Sequence, residues 1–119
     1  MKLIVAIIEP DKLNNIQRAL HEPGCYPLCV TNIGDIREPV HGCYRGAEYL
    51  SPRPRLRLEV VVVNDLIAGD VMNTIVEIAW RNHSGPVSAG SVFMLPLDAW
   101  VCVPSEESLT EATAACIVS

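Results

Sequence analysis

Leu3-Ile4-Val5-Ala6-Ile7-Ile8, followed at once by Glu9-Pro10-Asp11, decides how this chain folds. The apolar run has the length of a strand, and its lack of alternation means both of its faces need cover. Proline is tolerated in a helix's first turn, and Leu13, Ile16 and Leu20 then recur at helical spacing. Pro23-Gly24 stops that helix, and a second strand is expected over about residues 27–33, where Val30, Thr31 and Ile33 are β-branched. The strand–helix unit then returns. Arg55-Leu56-Arg57-Leu58-Glu59 alternates, Val60-Val61-Val62-Val63 does not, Asn64 stands where a cap belongs, and Ile67, Val71, Ile75 and Ile78 form a second stripe. Residues 82–90 read as a loop, and Ser91-Val92-Phe93-Met94-Leu95-Pro96-Leu97 as a fourth strand.

The order strand, helix, strand, strand, helix, strand is an α+β, ferredoxin-like βαββαβ sandwich. Its two helices pack on one face of an antiparallel sheet, yet residues 3–8 and 60–63 are apolar on both sides. The second face is covered either by further copies of the chain or by the tail folding back through Trp100, and the mismatch favours a homo-oligomer. Between the second and third strands, residues 34–54 carry Gly34, Pro39, Gly42, Gly46, Pro52 and Pro54, which read as a functional loop of about twenty residues. The main domain is residues 1–103. Residues 104–119 form a tail whose Ser105-Glu106-Glu107 resembles a helix start, a helix too short to persist unless it docks.

At 119 residues and 13.0 kDa, one domain with one core is the expectation. Half of the residues are hydrophobic and 19% charged, which excludes global disorder. No apolar run reaches the ~18 residues of a membrane span, so no direct membrane insertion is expected. A net charge of −5 argues against a nucleic-acid partner. The cysteines (Cys25, Cys29, Cys43, Cys102 and Cys116) are odd in number and no leader is visible, which reads as a cytoplasmic, reduced chain.

Two stretches are more specific than periodicity. Met1-Lys2-Leu3-Ile4-Val5-Ala6-Ile7-Ile8-Glu9-Pro10 with Lys12-Leu13 and Arg18-Ala19-Leu20 resembles the start of the PII nitrogen-regulatory signalling proteins. So does Tyr44-Arg45-Gly46-Ala47-Glu48-Tyr49, followed by Pro54-Arg55-Leu56-Arg57-Leu58-Glu59. The resemblance implies a homotrimer with inward-facing sheets, ATP or ADP in clefts between subunits, no general catalytic activity, and a protruding T-loop (here about residues 34–54) that docks on a transporter or enzyme. It places the nucleotide cleft at Ile7, Gly34, Arg37, Val63, Gly85, Val87, Ser88, Ala89 and Gly90. Tyr44, Arg45, Glu48 and Tyr49 fall to partner contact, and Tyr49 matches a tyrosine that some members modify. The alternative for Tyr49 is an aromatic anchor within the loop.

Departures from the family pattern bear on the ligand. The family's two lysines of the loop before the last strand fall on Pro86 and Ser91, and its two arginines beyond that strand on Cys102 and Pro104. Each lost charge-assisted contact is worth ~1.5–3 kcal/mol, so two such losses weaken triphosphate binding ~100-fold. ADP, AMP or no nucleotide are therefore expected over tight ATP binding. Residues 35–39 read Asp-Ile-Arg-Glu-Pro without the family's glutamine, and Arg55 replaces its lysine, which argues against control by 2-oxoglutarate. The expectation is a regulator of nitrogen or carbon metabolism that senses a small effector. The alternative is a metal- or thiol-sensing module using His41, Cys43 and Cys102, soft ligands that a threefold assembly would multiply. His83 and His21 are assigned to helix C-terminal dipoles.

Overall fold

The computed structural model describes residues 1–105 and 117–118. Strand β1 (Lys2–Ile8) runs into a 3-10 turn (Pro10–Lys12) and helix α1 (Leu13–Ala19). Strands β2 (Cys25–Tyr44) and β3 (Ala47–Val62) precede helix α2 (Asp65–Trp80) and strand β4 (Gly90–Pro96). The four strands form one antiparallel sheet in the order β2-β3-β1-β4. The split βαββαβ order read from the sequence is therefore present.

One face of the sheet makes the core. Ile4, Ala6 and Ile8 of β1 and Leu56, Leu58, Val60 and Val62 of β3 meet Ile16 of α1 and Val71, Ile75 and Ile78 of α2. Burying each large aliphatic side chain contributes ~1.5–3 kcal/mol, so this layer holds the helices on the sheet. Asn64 caps α2, its Oδ1 accepting from the Leu66 N–H at 2.9 Å. Asn64→Ala is expected to cost about 1 kcal/mol, read as a fall of a few degrees in the thermal midpoint; an unchanged midpoint would show the cap idle.

The opposite face carries the row Tyr26, Val61, Leu3 and Leu95, and beside it Val5 with Phe93. Val5 and Val61 are fully buried, whereas Tyr26, Phe93 and Leu95 are exposed. Trp100, in the short strand β5 (Trp100–Val101), returns to this face and sets its ring 5.1 Å from that of Tyr26. The tail thus covers one edge, and Phe93 and Leu95 remain open. Strand β6 (Ile117–Val118) pairs with β5, while the helix expected after Pro104 falls in residues 106–116, outside the described residues.

The largest correction concerns residues 34–54. They are not an irregular loop but the outer part of a β2–β3 hairpin, with Val40 to Tyr44 paired to Ser51 to Ala47. The hairpin closes in a two-residue turn, Arg45-Gly46, with φ of 52° and 80°, the left-handed pair that matches strand twist. Of the prolines that read as loop signals, Pro39 and Pro52 sit where the ladder breaks, whereas Pro54 pairs with Gly34. Pairing jumps from Asp35–Arg53 to Val40–Ser51, so residues 36–39 bulge opposite Pro52 alone. The hairpin gives the molecule its long axis of 62 Å.

Candidate functional site

The end of β1, the hairpin base and the 82–90 loop meet in a polar cluster centred on Arg55. Its side chain is wholly buried, although Arg57 two residues on is 40% exposed. Arg55 Nη2 donates to the Ser88 carbonyl at 2.8 Å, Nη1 lies 3.6 Å from Glu9 Oε1, and Nε lies 3.7 Å from Asp35 Oδ2. Asp35 is itself buried, and its Oδ1 accepts from the Arg37 N–H at 3.0 Å, which shapes the start of the bulge. Arg55 Nε and Nη1 and Asp35 Oδ2 make ion pairs without a hydrogen bond.

The bulge turns Glu38 toward the 82–90 loop. Ser88 donates to it twice, through its N–H to Oε2 at 2.7 Å and through its hydroxyl to Oε1. These bonds from the Ser88 hydroxyl and amide hold the Glu38 carboxyl below its ordinary range, against a smaller opposing effect of desolvation. The contact is therefore complete above the ordinary carboxylate range and lost as pH falls through the lowered value. Arg53 Nε donates to the Glu38 carbonyl at 2.9 Å. From the other side, His83 places Nε2 against the Val87 carbonyl and Nδ1 3.6 Å from Glu9 Oε1. His83 is thus a brace between β1 and the loop, not merely a cap on α2.

Of the residues expected in a nucleotide cleft, Ile7, Ser88, Ala89 and Gly90 do come together. With Val76 and Trp80 they line a cavity of 270 Å³ that is mostly apolar. Val87 lines a larger polar cavity of 580 Å³ with Lys12, Arg53 and His83. Gly34 packs against Pro52 with no room for a side chain, and Arg37 is exposed beside Asp35. Gly85 has φ +94° and nothing near it. Val63 follows the opposite end of β3, roughly 20 Å from the Ile7 row at ~3.3 Å per residue, so one chain does not bring it into the cleft.

Tyr44, Arg45, Glu48 and Tyr49 stand at the hairpin tip, where Arg45 lies 5.2 Å from the Tyr44 ring centre. The Tyr49 ring covers the backbone of Gly42, its cross-strand partner, so a Cβ there would meet Tyr49 Cζ at 2.2 Å. Tyr49 is thereby an aromatic anchor across the hairpin, with half of its surface still open. His41 and Cys43 share this distal segment, whereas Cys102 follows β5 near Tyr26, roughly 50 Å away along β2. Among the described residues no three His, Cys, Asp or Glu side chains group to hold a metal, and the metal-sensing alternative gains no support. Burial pushes the Cys25 thiol up, with Glu22 adding to the effect, which makes it an inert core thiol.

Sequence reasoning missed the Glu9–Arg55–Asp35 cluster and the Glu38–Ser88 contact. The available signal was Arg55 itself, a charge inside a segment whose neighbours are core. No helix of the described residues is long and apolar enough to cross a membrane.

The chain presents a ferredoxin-like sheet with a long hairpin braced against a glycine-bearing loop, a fold that by itself hosts many functions. Comparison with known proteins makes this specific. The family described as nitrogen regulatory protein P-II matches residues 1–107. The chain is 36% identical over 111 residues to nitrogen regulatory protein P-II 2 of Methanothermobacter thermautotrophicus, covering 91% of this chain and 93% of that one. It is 36% identical over 110 residues to nitrogen regulatory protein P-II of Azospirillum brasilense (90% and 95% covered). Nitrogen regulatory protein GlnK2 of Haloferax mediterranei is 38% identical over 101 residues, with 82% and 79% covered. This chain belongs to the P-II family. It is a PII-like regulatory protein, and members of that family are signal transducers rather than enzymes.

Proposed function

We propose that this chain senses an adenine nucleotide at the 85–90 loop and passes its state through the β2–β3 hairpin to a transporter or enzyme of nitrogen or carbon metabolism. One observation carries this reading. The loop that would hold phosphate and the base of the hairpin share Ser88, whose carbonyl takes Arg55 and whose N–H and hydroxyl take Glu38. Occupancy of the loop and the position of the hairpin are then one mechanical variable. The apolar cavity beside Ser88, with Ile7 and Trp80 on its walls, suits a base ring.

The phosphate load is small. Pro86 and Ser91 offer no cation, and Arg55 is committed to Glu9 and Asp35. ADP or AMP therefore fits better than ATP. The exposed Phe93 and Leu95 favour a homotrimer in which Val63 of a neighbouring copy completes the cleft. Light scattering should then report three times 13.0 kDa. Calorimetry with ATP, ADP and AMP, each with and without a chelator, tests the ligand. Micromolar binding of ADP or AMP that survives the chelator is expected, with ATP no tighter. Absence of heat with all three nucleotides would sink the nucleotide reading.

A further inference from the structure

We infer that Glu38 is a resident occupant of the phosphate cradle, a latch that an incoming phosphate must displace before the hairpin base is released. The inference rests on the nucleotide reading and adds the regulation of that site. A carboxylate and a phosphate oxygen ask for the same donors, and at Ser88 those donors are one amide and one hydroxyl. Glu38 takes both. The pairing spans 50 residues of sequence, so it is a tertiary contact between hairpin and loop.

The bulge lets the latch open cheaply. Residues 36–39 have no partners in the ladder apart from the single residue Pro52 opposite them, so Glu38 leaves Ser88 without unzipping the strands. What does move is the Glu38 carbonyl, and with it the Arg53 side chain bound there. Arg53 also lines the polar cavity beside Lys12 and is placed to follow the phosphate once freed. The device is thus competitive in one direction and a release signal in the other. By linkage the two effects are equal: whatever affinity the latch subtracts from the phosphate, the phosphate subtracts from the latch.

Calorimetry with ADP on the wild type and on Glu38→Ala, together with amide exchange at Ser88 in both unliganded proteins, tests this. A latch closed nine-tenths of the time would give a variant about tenfold tighter for ADP, the reciprocal of the open fraction. The Ser88 amide should also exchange faster in the variant. Equal or weaker ADP binding by Glu38→Ala overturns the inference. So does tighter binding with unchanged Ser88 exchange, which would reduce Glu38 to a source of charge repulsion. If neither protein binds ADP, the inference falls with the nucleotide reading; faster Ser88 exchange in the variant would then place the fault in the ligand and not in the contact.

Discussion

Arg55→Met unfolds more easily than the wild type by about 3–5 kcal/mol, the cost of removing one partner from a buried ion pair. The substitution keeps the volume and removes the charge, which leaves Asp35, buried in β2, with only the exposed Arg37 guanidinium to balance it and Glu9 without its guanidinium partner. In a domain of this size the loss lowers the thermal midpoint by roughly 10–20 °C. Adding Asp35→Asn to Arg55→Met should recover part of it, because the unpaired charge rather than the missing contact dominates. Arg55→Lys should fall between, since an ammonium cannot reach Ser88, Glu9 and Asp35 at once. Thermal unfolding of the variants decides the matter. An Arg55→Met protein within about 1 kcal/mol of the wild type would show that the cluster is solvated and that it does not set the hairpin base.

Arg55 also shows where the sequence stops being readable. Hydrophobic periodicity reports burial, so it found β1, β4, both helix stripes and the core end of β3. It cannot report a charge buried by other charges, since Glu9, Asp35 and Glu38 come from segments whose approach depends on the finished fold. The same limit explains the hairpin. From Val40 to Leu50 both faces of the ribbon meet solvent at most positions, so no alternation marks it as strand. Its glycines and prolines then read as loop, although Gly46 makes a tight turn, Gly42 makes room for Tyr49, and Pro39 and Pro52 lie at a bulge. That Ile7 and Ser88 to Gly90 share one cavity was legible only because their segments resemble the family. Glu38 was seen as the absence of a glutamine, and its bond to Ser88 is what the fold adds.

Gly90→Ala tests the joint between β1 and β4, which the whole cleft stands on. Gly90 opens β4 opposite Ile8 with φ +132°, and a Cβ built there would lie 1.9 Å from the Ile7 carbonyl oxygen. That oxygen is backbone in the middle of a sheet, so it cannot swing aside as a flexible side chain would. Either β4 shifts away from β1 or the loop from Ser88 to Gly90 is rebuilt, and both outcomes move the wall of the apolar cavity. The expected loss is about 3–5 kcal/mol, conformational strain plus the clash. Gly85→Ala separates the two contributions. Gly85 also has positive φ, +94°, but nothing lies within 4 Å of the added carbon. It should therefore cost only the left-handed strain, about 1–2 kcal/mol. Denaturant unfolding of both variants reads the difference directly. Equal losses would mean that β1 and β4 do not approach as closely as the Gly90 geometry requires, and Ile7 would then no longer face Ser88 across a shared cavity.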